Sequence, residues 1–211
     1  MNPDLFTHRF EKGDDPRLPV LLLLHGTGGT EHDLLPLGRQ LAPTAPLLSP
    51  RGRVLESGMP RFFRRFAEGV FDEEDIRHRA AELAGWIPAA AEAHGVAGRP
   101  VVAVGFSNGA NIAAALLLLH PGVLRGAVLL RAMVPLVPAP LPPLTDAAVL
   151  LVSGTADPIV PVVNARRLAG LLRASGADVE HLEIPAGHNL GMTDVIEARA
   201  WLARTGGGRA R

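Results

Sequence analysis

Residues 101–120 read Val101-Val-Ala-Val-Gly105-Phe106-Ser107-Asn108-Gly109-Ala110-Asn-Ile-Ala-Ala-Ala-Leu-Leu-Leu-Leu-His120. Residues 101–104 have the length and β-branching of a buried strand, and 108–120 form an apolar, alanine-rich run of helical length. A strand that turns into a helix within five residues presses the two backbones together. Two positions either side of the central Ser there is no room for a Cβ, and Gly105 and Gly109 stand at those places. Such a turn strains Ser107, exposes its hydroxyl at the carboxyl edge of a sheet and aims a helix N-terminus at it. The pentapeptide 105–109 alone is a weak signal. The flanking strand and helix are the context that makes it a nucleophile elbow.

Outward from that turn, apolar runs and helical patterns alternate. Strands are expected at residues 5–9, Val20–Leu24, 46–48, 101–104, Gly126–Leu130, 148–152 and 179–184. Helices are expected at 31–41, 73–94, 108–120, 161–175 and 191–203. Continuous apolar strands interleaved with helices describe an α/β domain, a mostly parallel sheet of about seven strands with helices on both faces. One domain over residues 1–204 accounts for the pattern, and 205–211 are expected to form a flexible tail. The acidic run after Asp72 reads as a capped first turn, not a metal site. Segments 51–71 and 135–145 read as irregular. Both follow expected strands, so both are expected over the carboxyl edge, where ligands bind in such sheets. Neither is long enough for a large lid.

Composition narrows the function classes. The 211 residues suffice for one substantial core. The 21 basic and 21 acidic residues cancel, so no basic excess marks a nucleic-acid partner. With no Cys, disulfides, thiolate ligands and a Cys nucleophile are excluded. The longest early apolar run, Val20–Leu24, is too short for a signal core or a membrane span, and the expectation is a cytoplasmic protein without membrane contact. The His residues show no zincin spacing and no accompanying carboxylate cluster, so no metal is assigned.

A Ser hydroxyl needs a general base within hydrogen-bond reach, itself oriented by a carboxylate. In a doubly wound sheet these come from loops after later strands, in the order Ser, acid, His. Residues 153–158 (Ser-Gly-Thr-Ala-Asp-Pro) place Asp157 after the strand 148–152, and Pro185-Ala-Gly-His188 places His188 after 179–184. Asp194 is the alternative carboxylate. His25-Gly-Thr-Gly-Gly-Thr30 follows Val20–Leu24 directly and matches neither phosphate-loop spacing. One of its N–H groups can join the Asn108 amide in binding an oxyanion, with His25 bracing the loop.

His25-Gly-Thr-Gly-Gly29, Gly105-Phe-Ser-Asn-Gly109, Gly154-Thr-Ala-Asp-Pro-Ile-Val-Pro161 and Ala186-Gly-His188 together resemble the phospholipase/carboxylesterase family of α/β-hydrolases, from about Val20 to Trp201. Residues 49–65 are similar to a bacterial carboxylesterase branch implicated in quinone and aromatic-compound metabolism. The resemblance implies a Ser107–Asp157–His188 triad, an oxyanion hole from the Thr27 and Asn108 amides, and hydrolysis of small carboxylic esters without a cofactor. It also implies that a homodimer is common. The segment 49–65 departs from the acyl-protein thioesterase and lysophospholipase branch.

Residues 51–65 hold Arg51, Arg53, Arg61, Arg64 and Arg65 with Glu56, Phe62 and Phe63. On one reading, Arg–Glu pairs pin the loop and the Phe rings cover the core. On the other, Arg53, Glu56, Met59 and Arg61, with Met133 and Val134 from before the proline-rich segment, line a substrate pocket. The leading functional expectation is a serine hydrolase cleaving short-acyl or aromatic esters through an acyl-enzyme. The alternatives are a thioesterase or lysophospholipase with longer acyl groups, and a non-catalytic binding protein on the same fold.

Overall fold

The computed structural model describes residues 2–205. The chain opens with a 3-10 turn, Pro3–Leu5, followed by β1 (His8–Glu11), β2 (Val20–Leu24), α1 (Leu35–Leu41) and β3 (Leu47–Pro50). Two short hairpins come next, β4 (Val54–Glu56) with β5 (Met59–Arg61) and β6 (Arg65–Ala67) with β7 (Val70–Phe71). The remainder is α2 (Glu73–Ala93), β8 (Val101–Phe106), α3 (Asn108–Leu119), β9 (Gly126–Leu130) and β10 (Ala148–Gly154). It ends with α4 (Val162–Ala174), β11 (Asp178–Ile184) and α5 (Met192–Thr205). Among the described residues the main sheet has 7 strands in the order β1-β3-β2-β8-β9-β10-β11. All neighbours are parallel except β1, which runs antiparallel to β3 at the edge.

Both faces of the sheet are covered over β2, β8, β9 and β10, which is why these inner strands read as apolar runs while the edge strands β1 and β11 do not. Val20, Leu22, Leu24 and Ala103 pack with Ile76 and Trp86 of α2, Ile112 of α3 and Leu168 of α4. Leu21, Leu23, Val102 and Val104 pack under Leu35 and Leu41 of α1 and Trp201 of α5. The chain leaves β2 toward β3 on one side, while β8 lies on the other. The carboxyl ends of β2 and β8 therefore flank the switch point of the sheet, where a crevice opens.

Four expectations change. The strand expected at 5–9 begins only at His8, because Pro3 and the Asn2 side chain, accepting from the Asp4 amide at 2.9 Å, turn residues 3–5 into a 3-10 turn. The helix expected from residue 31 begins at Leu35, since Pro36 fits only in a first turn. Segment 51–71 is not irregular. Ser57 and Gly58, at φ 51° and 80°, close a two-residue turn between β4 and β5, as the twist of a hairpin requires. Segment 135–145 does not stay over the carboxyl edge. β10 is parallel to β9, so the chain must return to the opposite edge, and by Leu144 its amide bonds to the Ser175 carbonyl beyond the end of α4. Of the expected tail, Thr205 ends α5 and 206–211 lie outside the described residues. Among the described residues no helix is long and apolar enough to cross a membrane.

Candidate active site

Ser107 stands between β8 and α3 at φ 51° and ψ −115°, a conformation that costs a non-glycine residue about 1–3 kcal/mol. Its N–H donates to the Leu130 carbonyl at the end of β9, 2.9 Å away, which helps hold the strained turn. A Cβ on Gly105 would lie 2.6 Å from the Gly109 carbonyl oxygen, and one on Gly109 would overlap the carbonyl of Leu24 in β2. Close approach of strand and helix is thus what both glycines permit.

The loops after β10 and β11 are laced together, Thr155 N–H to the Ile184 carbonyl at 2.9 Å and Ala156 N–H to the Ala186 carbonyl at 3.1 Å. This brings Asp157 Oδ2 to 2.8 Å from His188 Nδ1. The opposite ring nitrogen, Nε2, lies 3.0 Å from Ser107 Oγ. Asp157 Oδ1 accepts from the Ile159 and Val160 amides at 2.8 and 3.0 Å. Burial alone would raise the pKa of this carboxyl. The Val160 amide, the His188 ring and the Ile159 amide outweigh it and hold the group below the usual aspartate range. Its side chain is 1% exposed, so an anion is maintained at one end of the imidazole away from water. Asp194, the other candidate carboxylate, instead pairs with Arg131 at 2.7 Å.

Thr27 and Asn108 line the same narrow pocket as Ser107, with about 20 Å³ of free volume. Asn108 is the first residue of α3, so its N–H is not used inside the helix. The glycine loop is fixed from outside: Arg61 Nη1 donates to Thr27 Oγ1 at 2.7 Å and the Gly28 N–H to the Pro60 carbonyl at 2.9 Å. His25 braces it from beneath. Its Nε2 accepts from the Gly52 N–H at 2.9 Å, which requires Nδ1 to carry the proton given to the Gly26 carbonyl at 2.7 Å. Burial pushes the pKa of His25 down, in keeping with this neutral ring. An unfolded His takes up a proton near 6.5, whereas the folded ring resists it. The folded state therefore loses ground as pH falls below that value, until His25 itself titrates. His25→Phe is expected to flatten this acid dependence and to cost about 1–3 kcal/mol near pH 8 by orphaning the Gly52 amide. Urea denaturation at several pH values measures both effects; unchanged stability would show that His25 braces nothing.

The pocket candidates divide. Arg61 and Met133 line the pocket with Ser107, and Met59 lies over Gly28 beside it. Arg61 is 2% exposed and is held by Glu56 at 3.2 Å and the Phe63 carbonyl at 3.2 Å. Glu56 reaches Arg65 as well, at 2.8 Å, and so acts behind the pocket wall. Arg53 points elsewhere: it pairs with Glu82 of α2 at 2.6 Å and covers the Phe6 ring. Val134 belongs to a neighbouring groove with Asn164, whose side-chain oxygen accepts its N–H at 2.7 Å. Arg51 and Arg64 also pair with carboxylates, Glu31 and Asp72, and Phe62 and Phe63 are buried. The pinned-loop reading therefore describes most of this segment. Arg65, named in sequence only as one of the arginines of 51–65, joins the pocket wall, and sequence reasoning missed Glu68, Phe71, Asn111, Ile159 and Val160, which complete it. Only the two residues after Pro158 carried a signal, their nearness to Asp157.

A chain order of Ser, Asp and His, at the carboxyl ends of β8, β10 and β11, is that of the α/β-hydrolases, and the fold places the chain in that class. A family model described as Phospholipase/Carboxylesterase matches residues 7–205, and the chain belongs to this family. It is 48% identical over 194 residues to MhqD of Bacillus subtilis (strain 168), a hydrolase by name, covering 92% of this chain and 96% of that one. The crystal structure of a Bacillus cereus carboxylesterase superposes with a TM-score of 0.92 at 46% identity, covering 95% and 94% of the two chains. A carboxylesterase from Mesorhizobium loti gives 0.85 at 37% identity over 90% of each. The protein is a hydrolase of the carboxylesterase type.

Proposed function

We propose that the protein hydrolyses small carboxylic esters through an acyl-enzyme on Ser107. The observation that carries this reading is the hydrogen-bonded chain from Ser107 Oγ through His188 to Asp157 at the elbow. Ser107 Oγ attacks the ester carbonyl carbon as its proton passes to His188 Nε2. The carbonyl oxygen becomes an oxyanion received by the Thr27 and Asn108 amides. Collapse breaks the bond to the alcohol, which leaves with the proton from His188, and the acyl group stays on Ser107. Water then repeats the sequence against the acyl-enzyme, regenerating Ser107 and releasing the acid. Asp157 holds the Nδ1–H tautomer and stabilises the imidazolium without itself taking the proton.

Short acyl groups are expected to be preferred. The free volume beside Ser107 is small, about 20 Å³, and Met133 and Val160 close it at 4% and 3% exposure. Each acyl methylene adds about 0.8 kcal/mol only while the pocket can bury it. Across p-nitrophenyl esters, kcat/KM is expected to peak at roughly two to six acyl carbons. An optimum at dodecanoyl or longer would favour the lysophospholipase reading. Hydrolysis that survives complete modification of Ser107 by an organophosphate would refute the acyl-enzyme route itself.

A further inference from the structure

Arg131 follows directly on β9 and is as buried as a charged residue can be, its side chain 0% exposed and that of its partner Asp194 1%. A guanidinium is taken out of water at such depth only where its donors are used. Its backbone lies at φ 56° and its N–H donates to the Val152 carbonyl at 3.0 Å, so the direction of the side chain is set against ordinary backbone preference. The planar fork is used in two directions. Nη1 and Nη2 donate to the two Asp194 oxygens at 2.7 and 3.0 Å. Nε donates to the Gly187 carbonyl at 2.8 Å and Nη2 to the Asn189 carbonyl at 3.2 Å. These two carbonyls flank His188 on either side. Asp194 in turn accepts the Gly191 N–H at 2.8 Å, closing the same loop from its far end. One residue before Arg131, the Leu130 carbonyl accepts the Ser107 N–H. The end of β9 therefore grips the nucleophile turn with one residue and the loop of the base with the next.

We infer that Arg131, held by Asp194, is a positioning residue that sets the His188 ring against Ser107. The inference rests on the reading of Ser107 and His188 given under Proposed function. Proton transfer needs His188 Nε2 to remain within hydrogen-bond reach of Ser107 Oγ, and a displacement of about 1 Å can cost about a hundredfold in rate. Lys carries the same charge as Arg, but as a point donor on a flexible stem it cannot serve the carboxylate and both carbonyls together.

The test uses a fluorophosphonate probe, which reports on Ser107 and its base without an ester substrate. In Arg131→Lys, labelling is expected to run to one probe per chain but at least about tenfold more slowly than in the parent, with KM for p-nitrophenyl acetate changed less than about twofold. Rate and endpoint separate positioning from folding. A residue that only stabilises the fold leaves every folded molecule reacting at the parental rate and lowers the endpoint instead. Arg131→Met/Asp194→Asn removes both buried charges together, keeps an acceptor for the Gly191 amide and should show the same slow, complete labelling if Arg131→Lys fails to fold. Labelling of either variant at the parental rate, in all molecules or in a fraction of them, overturns the inference. Ser107→Ala run in parallel keeps the two ideas apart: undiminished labelling of that variant would sink the underlying assignment of the nucleophile.

Discussion

Replacing Ser107 by alanine is expected to lower kcat by about a hundred thousand- to a million-fold while leaving the thermal transition nearly unmoved. Only one atom goes. Alanine meets the same steric demand at φ 51° that serine does, and the backbone bond from residue 107 to the Leu130 carbonyl remains. The side-chain bond that is lost, to His188 Nε2 at 3.0 Å, contributes on the order of 1 kcal/mol to a fold of this size. Everything else that favours the reaction stays in place, including the loop amides, so slow hydrolysis above the rate in water is expected to persist. Turnover of p-nitrophenyl acetate and a thermal melt on the same preparation check both halves. Parental turnover in a folded Ser107→Ala protein would mean that the nucleophile lies elsewhere.

Asp157→Asn is expected to be nearly as severe, at about ten thousandfold in kcat, for a reason visible in the carboxylate's partners. Oδ1 is bound by the Ile159 and Val160 amides, so the amide oxygen of Asn will keep that place and turn its NH2 toward His188. Nδ1 must then accept, the ring proton moves to Nε2, and the nitrogen facing Ser107 can no longer take its proton. Asp194→Asn makes the sharpest control. That carboxylate touches Arg131 and the Gly191 amide, so its loss is expected to lower the melting temperature, yet to leave kcat of the folded fraction within about tenfold. The reverse ranking of the two variants would move the orienting acid to residue 194.

Much of this is legible in the amino-acid sequence. Residues 101–109 carry the elbow because the need for glycine on both sides of Ser107 is a local steric fact, written within nine residues. The main strands were legible because a sheet covered on both faces demands unbroken apolar runs, and residues 20–24, 126–130 and 148–152 are such runs. Asp157 and His188 could be chosen because each stands just past an expected strand, 148–152 and 179–184, at the edge where the elbow emerges. The hairpins within 51–71 were not legible, since strands of two or three residues are shorter than any periodicity can register and Ser57-Gly58 is a weak turn signal.

What the sequence by itself determined is therefore the class of fold and the elements that bear the candidate nucleophile, acid and base. Which way the arginines point was decided only in three dimensions. Arg53 and Arg61 stand eight positions apart on one segment, yet one meets Glu82 of α2 and the other Thr27 beside Ser107. Arg131 looks in sequence like any residue after a strand, and its shortest side-chain hydrogen bonds reach more than fifty positions away, to Gly187 and Asp194. A glycine's requirement is set by its own backbone and immediate neighbours, so sequence records it. The place of a long charged side chain is set by which distant acceptors and carboxylates the packed sheet and helices bring within about 3 Å of it, and that exists only once the chain has folded.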